Sequence, residues 1–164
     1  MRRSLWLLSL VTFASWGCDK STVPVADNGY RQQFLTNSLD ATPSTIAAVL
    51  QQDSWESPVT VVGRIYGGDQ NPFDAKSASF TVVERPEAGH DHEDPSDCVF
   101  CKRKLADGAM AVVKLVDPNG KPISQSADQL LGLKKNQDVI VQGKPSKVGD
   151  LLVIAADKIQ IVSR

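Results

Sequence analysis

Both histidines of the chain, and two of its three cysteines, fall within one run of thirteen residues, from Gly89 to Cys101. The order is His90-Asp91-His92, a five-residue bridge, then Cys98-Val99-Phe100-Cys101. Two imidazoles and two thiols this close make a full tetrahedral donor set for a borderline-soft cation. Zinc fits best, and copper is the other metal these donors suit. In Cys-x-x-Cys a tight turn brings both sulfurs to one ion. In an extended His-x-His the rings share one side, because side chains alternate along the backbone. Pro95 and Ser96 in the bridge are turn formers. Two thiolates and two neutral imidazoles neutralise a divalent ion. Asp91, Glu93, Asp94 and Asp97 can accept from the imidazole N–H groups, or simply concentrate cations locally. Lys102, Arg103 and Lys104, which follow directly, favour the thiolate form of Cys98 and Cys101.

Other chemistry for these residues stays open. Outside the cytoplasm Cys98 and Cys101 can close a disulfide and leave the histidines idle. They can also form a redox dithiol, although such pairs usually sit near a βαβ unit and none is legible here. Covalent haem attachment reads Cys-x-x-Cys-His. Lys102 occupies the fifth place instead, which argues against haem. Catalytic zinc keeps an open position, whereas four good donors favour a closed site. The chain offers no nucleophile-elbow serine, no Gly-rich phosphate loop and no further histidine for a triad. The expectation is a protein that is not an enzyme.

The segment that carries the donors must be positioned by something else. It runs over about residues 85–108 and holds Pro86, Gly89, Pro95 and five acids between Glu87 and Asp97. A connection of this length without structure of its own is uncommon in a compact domain. Its apolar content is too low to order it by burial. Coordinated metal would supply that ordering, since binding free energy in such segments is also folding free energy.

The N-terminus reads as an export signal. Arg2 and Arg3 precede an apolar run over residues 5–14, the length of a signal-peptide core and too short to span a bilayer. Ala14-Ser15-Trp16-Gly17-Cys18 follows. This stretch resembles the lipobox of bacterial lipoproteins, although Trp16 is bulky and Ser15 replaces the usual leucine. The resemblance implies cleavage before Cys18, a lipid on its thiol, and a membrane-anchored location on the extracytoplasmic side of the cell envelope. Without lipidation the expected fate is secretion. Removal of residues 1–17 takes away two of 18 basic residues and none of the 19 acidic ones, leaving a net charge of −3. That balance argues against non-specific nucleic-acid binding.

The expected organisation is a signal over 1–17, a polar tether over 18–41 on which Tyr30, Phe34 and Leu35 could dock, and one domain over 42–164 with the donor segment inserted at 85–108. Thr42-Pro43 reads as a cap and first helical residue, with Ile46, Val49 and Leu50 on one face of a helix over 43–52. Val59, Val61, Gly63 and Ile65 share one face of a strand, and Gly63 suggests a bulge or sharp bend. Further strands are expected at about 77–84, at 109–116, around Val139 and Val141, and over 151–162 with a bend near residues 155–157. Ser126 and Gln129 have capping-box spacing before Leu130, Leu131 and Leu133.

Strand, strand, strand, helix, strand, strand resembles the OB-fold, a five-stranded Greek-key barrel with small α content. That resemblance covers about residues 57–162. It implies an all-β class and, by analogy, an oligonucleotide site, for which Tyr66, Phe73 and Phe80 are the available stacking rings. Phe80 suits the core better, and Tyr66 the rim. Lys144, Lys147 and Lys158 do not form a convincing basic groove. The sequence thus points to an exported binding module for a protein or small ligand, with metal handling as the main alternative role.

Overall fold

The computed structural model describes residues 29–85, 103, 105 and 107–162. The chain is mostly sheet, with a few short helices. Elements in chain order are α1 (Tyr30–Phe34), β1 (Leu35–Thr36), α2 (Ile46–Leu50), β2 (Val59–Ile65), β3 (Ser79–Val83), β4 (Met110–Lys114), α3 (Ala127–Leu131), β5 (Asp138–Val148) and β6 (Leu151–Ile161). The six strands form one mixed sheet in the order β1-β6-β4-β3-β2-β5, and β5 also pairs with β6. Strands β2 to β6 therefore close a ring of pairings. Only β4–β6 and β1–β6 are parallel.

Alternation along the strands decides what lies inside the ring. Val61 and Ile65 on β2, Phe80 and Val82 on β3, and Ala111 and Val113 on β4 are buried. So are Val139 and Val141 on β5, and Leu152 and Ile154 on β6. Fully burying a side chain of this kind contributes about 1.5–3 kcal/mol. Leu130 and Leu131 of α3 join the same core, as do Ile46 and Val49 of α2.

Several local expectations shift by a turn or change mechanism. Thr45, not Thr42, caps α2: its hydroxyl accepts from the Ala48 N–H at 3.1 Å. Residues just before it are extended, because Ser44 bridges Val61 through the Ser44 N–H to Thr60 O and the Val62 N–H to Ser44 O. Ser126 precedes α3 as expected, but makes no side-chain cap. Its hydroxyl bonds Asp128 instead. The helix ends where Gly132 turns left-handed (φ 72°).

No bulge occurs at Gly63. Register between β2 and β5 runs unbroken from Val59↔Gly143 to Arg64↔Asp138. Gly63 is needed for close approach, since a Cβ there would lie 2.9 Å from Val83 O. The irregularity lies instead between Gln142 and Gly143, opposite Lys158 and Ala156, so Asp157 is the extra residue. The expected bend around residues 155–157 sits at this bulge, where β6 leaves β4 and goes on to pair with β1.

The second half of the expected tether is docked. Phe34 is buried, and Leu35 and Thr36 pair with Ile159 and Gln160. The Lys158 ammonium donates to Gln33 O at 2.6 Å. Its apolar residues make this possible: Tyr30 and Phe34 stack with ring centroids 6.3 Å apart and pack against the core.

Candidate functional site

His90, His92, Cys98 and Cys101 lie outside the described residues, as does Cys18. What is described is the base from which the donor segment leaves and to which it returns. The last pair of the β3–β4 ladder is Val83↔Met110. One step further out, the Glu84 N–H donates to Ala109 O at 2.8 Å. The long connection thus begins and ends at adjacent points, closed by a backbone hydrogen bond.

The outgoing leg is held by charge. Glu84 Oε2 accepts from the Ala47 N–H at 2.9 Å, which ties the leg to the first turn of α2. Arg85 follows, with its Nε 3.7 Å from Asp138 Oδ2. Asp138 is buried, and its main partner is buried Arg64. Arg64 Nε donates to Oδ1 at 2.7 Å, and its terminal nitrogen to Oδ2 at 3.3 Å. This forked geometry satisfies both carboxylate oxygens, as burial of an ion pair requires.

The returning leg is held by burial. Arg103 and Leu105 are helical, and the Asp107 N–H donates to Arg103 O at 2.9 Å. Leu105 is fully buried and forms a small second cluster with Tyr66 and Val83. It sits four residues after Cys101, so the chain leaves the donor segment directly into a fixed anchor. A cleft of about 360 Å³ opens beside this anchor, lined by Tyr66, Gln70, Thr81, Leu105 and Met110 among others. No charged side chain among the described residues lines it.

The three rings considered for base stacking are not free to stack. Phe73 and Phe80 are buried against each other, with centroids 6.1 Å apart. Tyr66, just past the end of β2, is buried too, in the small cluster with Leu105 and Val83. Of the lysines, Lys158 is engaged with Gln33 O, while Lys144 and Lys147 are exposed. Among the described residues no group of three or more His, Cys, Asp or Glu could hold a metal. No described helix is long and apolar enough to cross a membrane.

Sequence reasoning missed Arg64, Asp138 and Leu105. The signal for the first two was the lone charge of β2 and the acid that opens β5 just before its apolar run. For Leu105 it was a single large aliphatic residue closing a polar stretch. Comparison with protein-family models and with curated proteins returned no match.

Proposed function

We propose that this chain is an exported, lipid-anchored, non-catalytic binding module. In this reading His90, His92, Cys98 and Cys101 hold one zinc ion, and the ion orders the connection that carries them. The domain is an OB-fold. That assignment is supported by the cyclic pairing of β2 to β6, by parallel β4 and β6, and by the helix between β4 and β5.

The observation that carries the reading is the closed base of the connection. Glu84 and Ala109 are joined by a hydrogen bond, Arg85 is held near Asp138, and Leu105 is buried. Fixing both ends reduces the chain entropy that four converging donors must overcome. Ordering then follows from coordination, as in other small metal-clipped segments. Burial of all three candidate stacking rings weighs against an oligonucleotide ligand.

Elemental analysis of anaerobically purified protein tests the metal. About one zinc per chain is expected, abolished by Cys98→Ser and by His92→Ala, with two free thiols appearing after chelation. Metal-free protein with Cys98 and Cys101 oxidised would overturn the site in favour of a disulfide. Zinc or copper that exchanges freely on dialysis would assign the chain to metal transfer. The anchor is tested by fractionation, where Cys18→Ser should release the protein from membranes.

A further inference from the structure

The sheet carries a second surface that the ring does not use. Residues opposite one another on paired strands share a face, and the register sets out three rows across β3, β4, β6 and β5. The outermost row is Val83, Met110, Leu151 and Val148: Val83 pairs with Met110, Leu151 with Val148, and Met110 lies one step before the Ala111↔Leu152 pair. The next row is Thr81, Val112, Val153 and Ser146. The third is Ser79, Lys114, Ala155 and Lys144. All three rows lie on the side of these strands away from the main core, whose side chains are the alternate ones; Val83 is buried there with Leu105 and Tyr66, and Val153 is buried as well, so the open part of the face is carried by Met110, Leu151, Val148, Lys114 and Lys144.

The face is graded from apolar to cationic. Met110 and Val148 are the exposed large hydrophobic residues among those described, at 45% and 66%. Both stand in the outermost row, with half-buried Leu151 between them. Lys114 and Lys144 are exposed and stand in one row, four residues back along their strands, which is about 13 Å at strand rise. None of the positions in the three rows is acidic. The turn beyond them carries Asp150, and exposed Lys147 beside it offsets that charge. On its β5 side the apolar end is not flanked by β2. β2 begins at Val59, opposite Gly143, so beyond Gly143 strand β5 pairs with β6 alone.

We propose that this face is a peripheral docking surface for an anionic lipid bilayer, with Val148, Leu151 and Met110 entering the headgroup region and Lys114 and Lys144 meeting lipid phosphates. Apolar side chains at a tip, with lysines set back by about the depth of the headgroup layer, are the arrangement an interfacial contact needs. Other occupants suit the face less well. Single-stranded nucleic acid needs aromatic platforms, and the rows contain none. Strand addition along the free edge of β5 is opposed by Pro145, which has no N–H to offer. The proposal draws on the anchoring part of the function above, which keeps the domain near a bilayer, and is independent of the metal.

The test uses the full chain carrying Cys18→Ser, so that no lipid is attached, and measures co-sedimentation with vesicles. Binding should be stronger to phosphatidylcholine vesicles containing phosphatidylglycerol than to phosphatidylcholine alone. Lys114→Gln with Lys144→Gln should weaken it by roughly 30-fold, from two lysines near the surface. Val148→Ser should weaken it several-fold, and exposed Lys134→Gln should leave it unchanged. All four positions are solvent-exposed, so the fold is retained. Equal binding of parent and double variant, or no preference for the anionic vesicles, overturns the proposal. So does concentration-dependent self-association that the same substitutions abolish, which would make the face an interface between copies. A high-salt wash of the membrane fraction separates the two readings: the parent, held by a lipid on Cys18, stays bound, whereas protein held by this face alone is released, so parent protein that washes off removes the lipid anchor without touching the vesicle result.

Discussion

Arg64 and Asp138 stand opposite one another on β2 and β5 and join their side chains inside the fold, Nε to Oδ1 at 2.7 Å. Each is almost fully buried, with side chains 5% and 1% exposed. The pair pins the start of β5 to the end of β2, and the same carboxylate reaches Arg85 at the base of the donor segment. Removing one partner strands the other charge. Asp138→Ala is expected to cost about 3–5 kcal/mol, read as a lower midpoint in urea unfolding. The double change Arg64→Met with Asp138→Leu should cost less than the sum of the single changes, because it leaves no fully buried charge without a partner.

Leu105 is the anchor of the returning leg. Leu105→Ala should destabilise the fold by about 2–5 kcal/mol through loss of burial and the cavity left between Tyr66 and Val83. The same variant should also weaken zinc retention in a chelator competition, since one end of the connection is then released. A variant that loses stability but holds metal as tightly as the parent would separate the two events.

Metal and fold should be linked. With free zinc at about a thousand times its dissociation constant, the bound form gains roughly 4 kcal/mol over the apo form. Chelation should therefore lower the thermal midpoint of the parent and leave that of Cys98→Ser unmoved. Calorimetry with and without chelator reads this directly.

Acid should act on the turn that leads into β3. Asp74 accepts from the Lys76 N–H at 2.8 Å and from the Ser77 hydroxyl at 2.9 Å. The backbone bond from Lys76, then the bond from Ser77, hold its carboxyl below the ordinary value of 3.8. A lowered value means the unfolded chain binds the proton more readily, so stability rises with pH in this range. The contribution is whole above the unfolded value and is lost as the pH falls through the lower, folded one. Thermal midpoints of the parent and Asp74→Asn should therefore differ near neutrality and converge below pH 3.8.

Gly143 marks where β5 turns across the bulge. A Cβ there would collide with the Ala155 carbonyl oxygen, a backbone atom that cannot swing aside. Gly143→Ala should destabilise the fold, the opposite sign from the roughly 0.4–1 kcal/mol of stabilisation that the same change brings where the backbone has room for a Cβ. Denaturant unfolding of the variant checks this.

Much of the architecture was legible because it rests on short-range pattern. Period-two spacing of Val59, Val61, Gly63 and Ile65 sets the inner face of β2, and the run from Leu151 onward sets β6. Features that depend on partners far along the chain were less readable. Gly63 looked like a bulge because a glycine within a strand commonly is one; its actual neighbour, Val83 O, belongs to another strand. Thr42-Pro43 looked like a helix start, but pairing of Ser44 with Val61 kept that stretch extended and moved the cap to Thr45. Arg64 and Asp138 are 74 residues apart, and only the register of β2 on β5 brings them together. At the candidate site the proposed donors His90, His92, Cys98 and Cys101 rest on type and spacing alone and lie outside the described residues. The closure of their connection between Glu84 and Ala109 was not legible, since it needs the end of the β3–β4 ladder to be known.

That closure gives the molecule a modular character. Every pairing of the ring among the described residues lies on the core side of the Glu84–Ala109 bond. A different cassette could be spliced in at the same stems, provided that Leu105 and its cluster with Tyr66 and Val83 are kept. The scaffold and its appendage can in this way diverge separately, one constrained by packing and the other by whatever it is selected to hold.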